Sequence, residues 1–265
     1  MRGARGACTA LALLALTAGA ALADGPGGFV GGVLRTRDGS VYTTSPATLG
    51  GTRISLLRNG RTVRSARIAG NYGVAVPTAD GVARGLSHDG RMLVLPAFRR
   101  ADRFAVLDAR TLRLRRVIGL RGQFTYDALS PRGTTLYLIE HVDPGTYDRY
   151  SVRAYDLVRG RLFREIVFDA RDKAAVMRGQ ALTRVSGPTG RWVYTLYWRQ
   201  DAAPFVHALD TVDRHAYCID LPASARSWTG RAKLTVAPGR LLVGMGNKRL
   251  RIDTKTLRVT KTGRP

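Results

Sequence analysis

The stretch "LSHDGRMLVL", Leu86 to Leu95, returns forty-three residues later as "LSPRGTTLYL", Leu129 to Leu138. A chain that repeats a segment at this interval is limited to architectures built from copies of one unit. The parts that follow also recur in order: "RFAVLDARTLRLRRVIGL" from Arg103, "YSVRAYDLVRGRLFREIVF" from Tyr150, "PFVHALDTVDRHAYCIDL" from Pro204 and "KRLRIDTKTLRVTK" from Lys248. Asp108, Asp156, Asp210 and Asp253 hold one place in these copies, each opening a short polar turn, at spacings of 48, 54 and 43 residues. A weaker upstream copy runs from "LRTRDGSVYTTS" to "TRISLLRNGRTVRSARI", with Asn59-Gly60 as its hairpin turn. The units fall at residues 28–75, 76–121, 122–170, 178–222 and 228–265.

Each unit reads as four short strands. In the third, "FTYDALS", "TLYLIE", "SVRAYDL" and "RLFREIVF" are apolar or alternating runs divided by Gly, Pro and Asp turns. Helical periodicity is lacking, apart from one turn's worth at "DKAAVM", Asp172 to Met177. The fold class is therefore all-β.

The pairing of "LSHDGRMLVL" with "FAVLDARTLRLRRVIGL" resembles the YVTN type of β-propeller repeat, a relative of TolB-like and WD-repeat propellers. The resemblance spans residues 24–265, strongest over 83–169 and weakest over 28–75. It implies a propeller of about five four-stranded blades, the first strand of each innermost. It implies no particular chemistry, because such repeats serve binders, scaffolds and enzymes alike.

The N-terminal residues are set apart from this domain. Arg2 and Arg5, an apolar run from about Ala10 to Ala21, and the small residues Ala21 and Ala23 have the layout of a secretory signal peptide cleaved after Ala23. The expected products are a leader at 1–23 and a propeller domain at 24–265, exported to the cell envelope or medium. "GPGGFVGG", Gly25 to Gly32, reads as a flexible start. Cys8 leaves with the leader and Cys218 remains alone, so no intramolecular disulfide is expected.

The formal net charge is +24, and +22 once the leader is removed. Arginine supplies 38 of 43 basic residues, while glutamate occurs only at 140 and 165. Two explanations stand: an anionic partner such as an envelope polymer, or arginine-rich genome composition. Composition accounts for arginine over lysine but not for the scarcity of glutamate. No basic block of the kind that marks a nucleic-acid arm is present.

Aligning the turn glycines Gly39, Gly90, Gly133, Gly190 and Gly239 places Val33, Arg84, Asp127, Arg184 and Lys233 at equivalent inner-strand positions. Arg84, Arg184 and Lys233 around Asp127 are an expected anion-binding set, or else an internally paired plug of the axis. Glu140, His141, Asp143 and Asp148 share one loop and are the candidate metal ligands, without a recognised calcium-loop spacing. In "RWVYTLYW", alternation puts Trp192, Tyr194 and Trp198 on one face, as a stacking platform or as packing between sheets. For catalysis Asp127 is the one axial carboxylate, so a lactone or glycan hydrolase is the alternative to a binding or scaffold module for an anionic or protein partner. No G-x-S-x-G element, histidine pair at metal-ligand spacing or phosphate-cradling glycine loop is found, and no cofactor is called for.

Overall fold

Short alternating runs joined by tight turns fold into antiparallel sheets in which chain neighbours are also hydrogen-bonded neighbours. A computed structural model describes residues 32–143, 149–169, 171, 176–225, 232–245 and 248–261. The leader at 1–23, the glycine-rich start except Gly32, Asp148, and most of the expected helical turn at Asp172 to Met177 lie outside these residues.

The first sheet holds β1 (Gly32–Arg35), β2 (Val41–Pro46), β3 (Thr52–Arg58) and β4 (Arg61–Ile68) in chain order. The second holds β5 (Met92–Pro96), β6 (Arg103–Asp108) and β7 (Leu114–Gly119). The third holds β8 (Gln123–Leu129), β9 (Thr135–His141), β10 (Arg149–Asp156) and β11 (Arg161–Val167), with β12 (Met177–Arg178) added to β10. In the fourth are β13 (Gln180–Ser186), β14 (Trp192–Trp198), β15 (Phe205–Asp210) and β16 (His215–Asp220). The fifth comprises β17 (Ala232–Ala237), β18 (Arg240–Met245), β19 (Lys248–Asp253) and β20 (Val259–Lys261).

The recurring aspartates are turn-formers. Asp108, Asp156, Asp210 and Asp253 each close a third-to-fourth-strand turn by accepting, on Oδ1, the backbone N–H groups two and three residues ahead. The fourth residue beyond each is left-handed: Leu112, Gly160, Arg214 and Leu257, with φ of 58°, 75°, 58° and 59°. In the first sheet Asn59 and Gly60, both at positive φ, make the two-residue hairpin instead.

Apolar residues on alternate positions meet between sheets. Tyr42, Ile54, Leu93 and Leu107 join the first sheet to the second; Val94, Phe104, Leu136 and Leu138 join the second to the third. Tyr137, Val152, Phe205 and Leu209 join the third to the fourth, and Leu196, Val206, Leu241 and Ile252 the fourth to the fifth. Among the described residues no corresponding core joins the fifth sheet to the first. The sheets stack in sequence without closing.

The second sheet departs from the expected four strands. Its inner position is shared by two pieces, Gly73 donating to Pro96 O and Ser87 donating to Met92 O. Between them the chain leaves at Ala75 and returns at Arg84, whose N–H donates to Ala75 O. Pro77, which cannot donate to a ladder, stands in this excursion. The excursion does not hang free: Ala79 and Asp80 donate their N–H groups to Ala181 O and Leu182 O of β13, at 2.9 and 3.0 Å. It therefore crosses from the second sheet to the inner edge of the fourth. Gly85, with φ of 117°, makes the return, and a Cβ there would lie 2.5 Å from Val94 O.

Candidate functional site

Two inner strands carry bulges, one at Asp127 and one at Leu182, two residues before Arg184. In β8 the register with β9 shifts between Tyr126 and Ala128, leaving Asp127 as the extra residue. In β13 it shifts between Ala181 and Thr183. A bulge re-aims a side chain without ending the strand. Here it lets Asp127 of the third sheet meet Arg184 of the fourth.

The Arg184 guanidinium is spent on this meeting. Nη2 pairs with Asp127 Oδ1, Nη1 donates to the Asp127 carbonyl, and Nε donates to Thr195 Oγ1 at 2.7 Å. Both side chains are almost wholly buried, 3% and 2% exposed. Burial by itself lowers the Arg184 pKa, but the Asp127 carboxylate, then Tyr197 and Tyr126, outweigh it and the net direction is up. Arg84 is half-buried beside the pair, and its Nη2 donates to Arg184 O at 3.0 Å. Burial, then repulsion from Arg184, push its pKa down. Arg84, Asp127 and Arg184 are thus brought together, with the excursion from the second sheet passing beside them. The turns that follow the inner strands of three units also meet nearby: Asp89 N–H donates to Pro131 O, and a Cβ on Gly190 would lie 2.6 Å from His88 Cβ. Lys233 is exposed on β17, whose other face supplies buried Leu234 to the fourth-to-fifth core.

Three solved structures resemble this arrangement over most of its length. A functionally unknown protein from Desulfotomaculum acetoxidans aligns with a TM-score of 0.55 at 11% identity, covering 87% of this chain and 68% of that one. A 6-phosphogluconolactonase-like protein of Bacteroides uniformis aligns at 0.50 and 15%, covering 88% and 69%. The periplasmic gluconolactonase of Pseudomonas aeruginosa aligns at 0.50 and 15%, covering 87% and 68%. The fold is of the β-propeller type. No family model matches the sequence, and no curated protein matches it either. At these identities the likeness carries the fold alone.

The loop acids of the third sheet are engaged separately. Glu140 pairs with Arg153, Asp143 with Arg149 at 3.3 Å, and His141 Nε2 lies 3.2 Å from Thr125 Oγ1. Burial lowers the His141 pKa to about 4. A different trio has ligand atoms close enough to share an ion: Asp210, Asp213 and His215. Arg191 already occupies the cation's place there, bonding both carboxylates. The aromatic run is packing: Trp192 stacks on Tyr194 and Tyr217 at 6.3 and 6.2 Å against the fourth-to-fifth core, while Tyr197 stacks on Tyr150 and Phe205 on the other face.

Charge is distributed unevenly over the sheets. Residues 32–68 hold seven arginines against Asp38, and residues 232–261 hold eight lysines and arginines against Asp253. Residues 69–231 hold 25 basic against 16 acidic residues. None of the seven first-sheet arginines has an ion pair among the described residues, and Asp38 is taken by Thr36 and Ser40. The excess per residue is therefore highest on the two sheets that no core joins.

Proposed function

We propose that this chain is an exported, YVTN-type five-unit propeller that acts as a binding module for an anionic partner of the cell envelope. The observation that supports this reading is the placement of charge: the two unclosed end sheets hold seven and eight basic residues against one acidic residue each, whereas residues 69–231 hold 25 against 16. Arginine-rich genome composition does not explain why each end sheet carries a single acidic residue, Asp38 in the first and Asp253 in the fifth. An extended polyanion or an acidic protein face would be held by several exposed guanidinium groups at once. The leader-like N-terminus and the periplasmic setting of one structural neighbour agree with export. Of the axial set, Lys233 enters as a cation of the binding face, whereas Arg184 is neutralised by Asp127 and Arg84 is turned onto the Arg184 carbonyl.

Salt-gradient retention on a sulfated-polysaccharide column tests this. Arg53→Glu in the first sheet, and Lys233→Glu or Arg251→Glu in the last, should elute at markedly lower salt, with Arg113→Glu in the second sheet little changed. Equal losses for all four would refute a placed site and leave only net charge. The alternative, a lactone or glycan hydrolase using Asp127, draws on the gluconolactonase among the structural neighbours. It requires turnover on a lactone panel that Asp127→Asn removes.

A further inference from the structure

The face of the fourth sheet turned toward the third carries an unusual polar row. The strand registers pair Arg184 with Thr195, Thr195 with His207, and His207 with Cys218, so the four side chains cross β13 to β16 on one face. Arg184 and Thr195 are accounted for by Asp127. His207 is not: it is 2% exposed, and its Nε2 has no hydrogen-bond partner. Burying an unpaired imidazole nitrogen costs free energy that a native interior rarely leaves uncompensated. Its cross-strand neighbour is the one cysteine of the described residues. Cys218 Sγ lies 3.6 Å from Met177 Sδ, brought in from β12 on the edge of the third sheet. Asp169 fixes this approach, accepting from Cys218 N and pairing with Arg171.

We propose that Cys218, Met177 and His207 form a binding site for a soft monovalent cation, copper(I). Thiolate and thioether sulfur together select this metal, and imidazole is an accepted third ligand. With metal–sulfur bonds of about 2.3 Å, two sulfurs 3.6 Å apart subtend an angle of roughly 100° at a shared ion. Charge favours a monovalent ion: copper(I) with one thiolate is neutral, whereas a divalent ion would leave a net positive charge against a largely buried set of ligands. Binding releases the Cys218 thiol proton to solvent, with no change of oxidation state. Access exists: a cavity of about 760 Å³ is lined by Met177, Cys218 and Phe205 and rimmed by Arg171, Arg178 and Arg199.

The test uses the full chain carrying Cys8→Ser, titrated without oxygen against copper(I) held by bicinchoninate. One copper(I) per chain is expected, with two sulfur neighbours and one nitrogen by X-ray absorption. Cys218→Ser should abolish binding, and the near-isosteric Met177→Leu should weaken it by about tenfold or more while the protein stays folded by circular dichroism. His207→Asn should remove the nitrogen neighbour. No binding by the parent chain, or unchanged affinity in Met177→Leu or Cys218→Ser, would overturn the proposal.

Discussion

Cutting the Asp127–Arg184 pair on one side should cost far more than removing it whole. Asp127→Ala leaves a guanidinium 3% exposed, with only Thr195 Oγ1 and a backbone carbonyl as partners. Breaking a buried pair in this way costs about 3–5 kcal/mol. For a chain of this length about 2–4 °C of Tm is lost per kcal/mol, so a fall on the order of 6–20 °C is expected. The double variant Asp127→Leu with Arg184→Met removes both charges and fills a similar volume, so it should lie within about 2 kcal/mol of the parent. Urea unfolding of the parent, both singles and the double yields the coupling energy directly. Asp127→Asn is the intermediate case, because an amide oxygen can replace Oδ1 as acceptor while the charge is lost. The reasoning fails if Asp127→Ala costs less than about 1 kcal/mol, or if the double variant loses as much as the two singles added.

Three further outcomes follow from the turns and the crossing. Asp156→Ala removes the acceptor of two backbone N–H groups and should cost about 1–2 kcal/mol in chemical denaturation. Backbone N–H groups hold the carboxyls of Asp108, Asp156 and Asp253 below the usual range. Because the folded values lie beneath the unfolded value of 3.8, their contribution is present above that pH and should be lost as pH falls below it, which a pH series of melting temperatures would record. Gly85→Ala should destabilise by about 1–3 kcal/mol, since it places a Cβ against Val94 O at positive φ, and it should raise proteolysis within the 76–83 excursion.

Much of the fold is legible because its determinants are local. The Asp108, Asp156, Asp210 and Asp253 turns need only a carboxylate and the next few N–H groups, so sequence spacing marks them directly. The Asn59-Gly60 hairpin is local in the same sense. The missing inner strand of the second sheet was not legible. "VPTADGVARGLS" contains acceptable strand residues at its end, and what diverts it is a pair of hydrogen bonds to β13 about a hundred residues away. The axial set was half legible: turn counting put Arg84, Asp127 and Arg184 at one level, but the bulges that let Asp127 and Arg184 pair are a tertiary compromise. His207 and Cys218 could have been paired by counting outward from the Asp210 turn, since the β15–β16 register follows from the turn length. Met177 could not, because β12 is set beside Cys218 by its pairing with β10, which no local spacing marks.

The open stack and the basic composition bear on the same question. Joining the fifth sheet to the first would press a face bearing Lys233, Thr235 and Arg251 against one bearing Arg35, Arg53 and Ser55. Each inter-sheet core that does form is made of Leu, Ile, Val, Phe and Tyr on both sides. Val33, Val41 and Leu57 on the first-sheet face and Leu242 on the fifth are the apolar side chains set among these cations, too few to offset the desolvation of like charges. The anionic partner proposed above would remove that obstacle by pairing with both faces. On this reasoning salt that screens the arginines weakens partner binding and leaves the four internal cores untouched, so binding and melting temperature should respond to ionic strength independently.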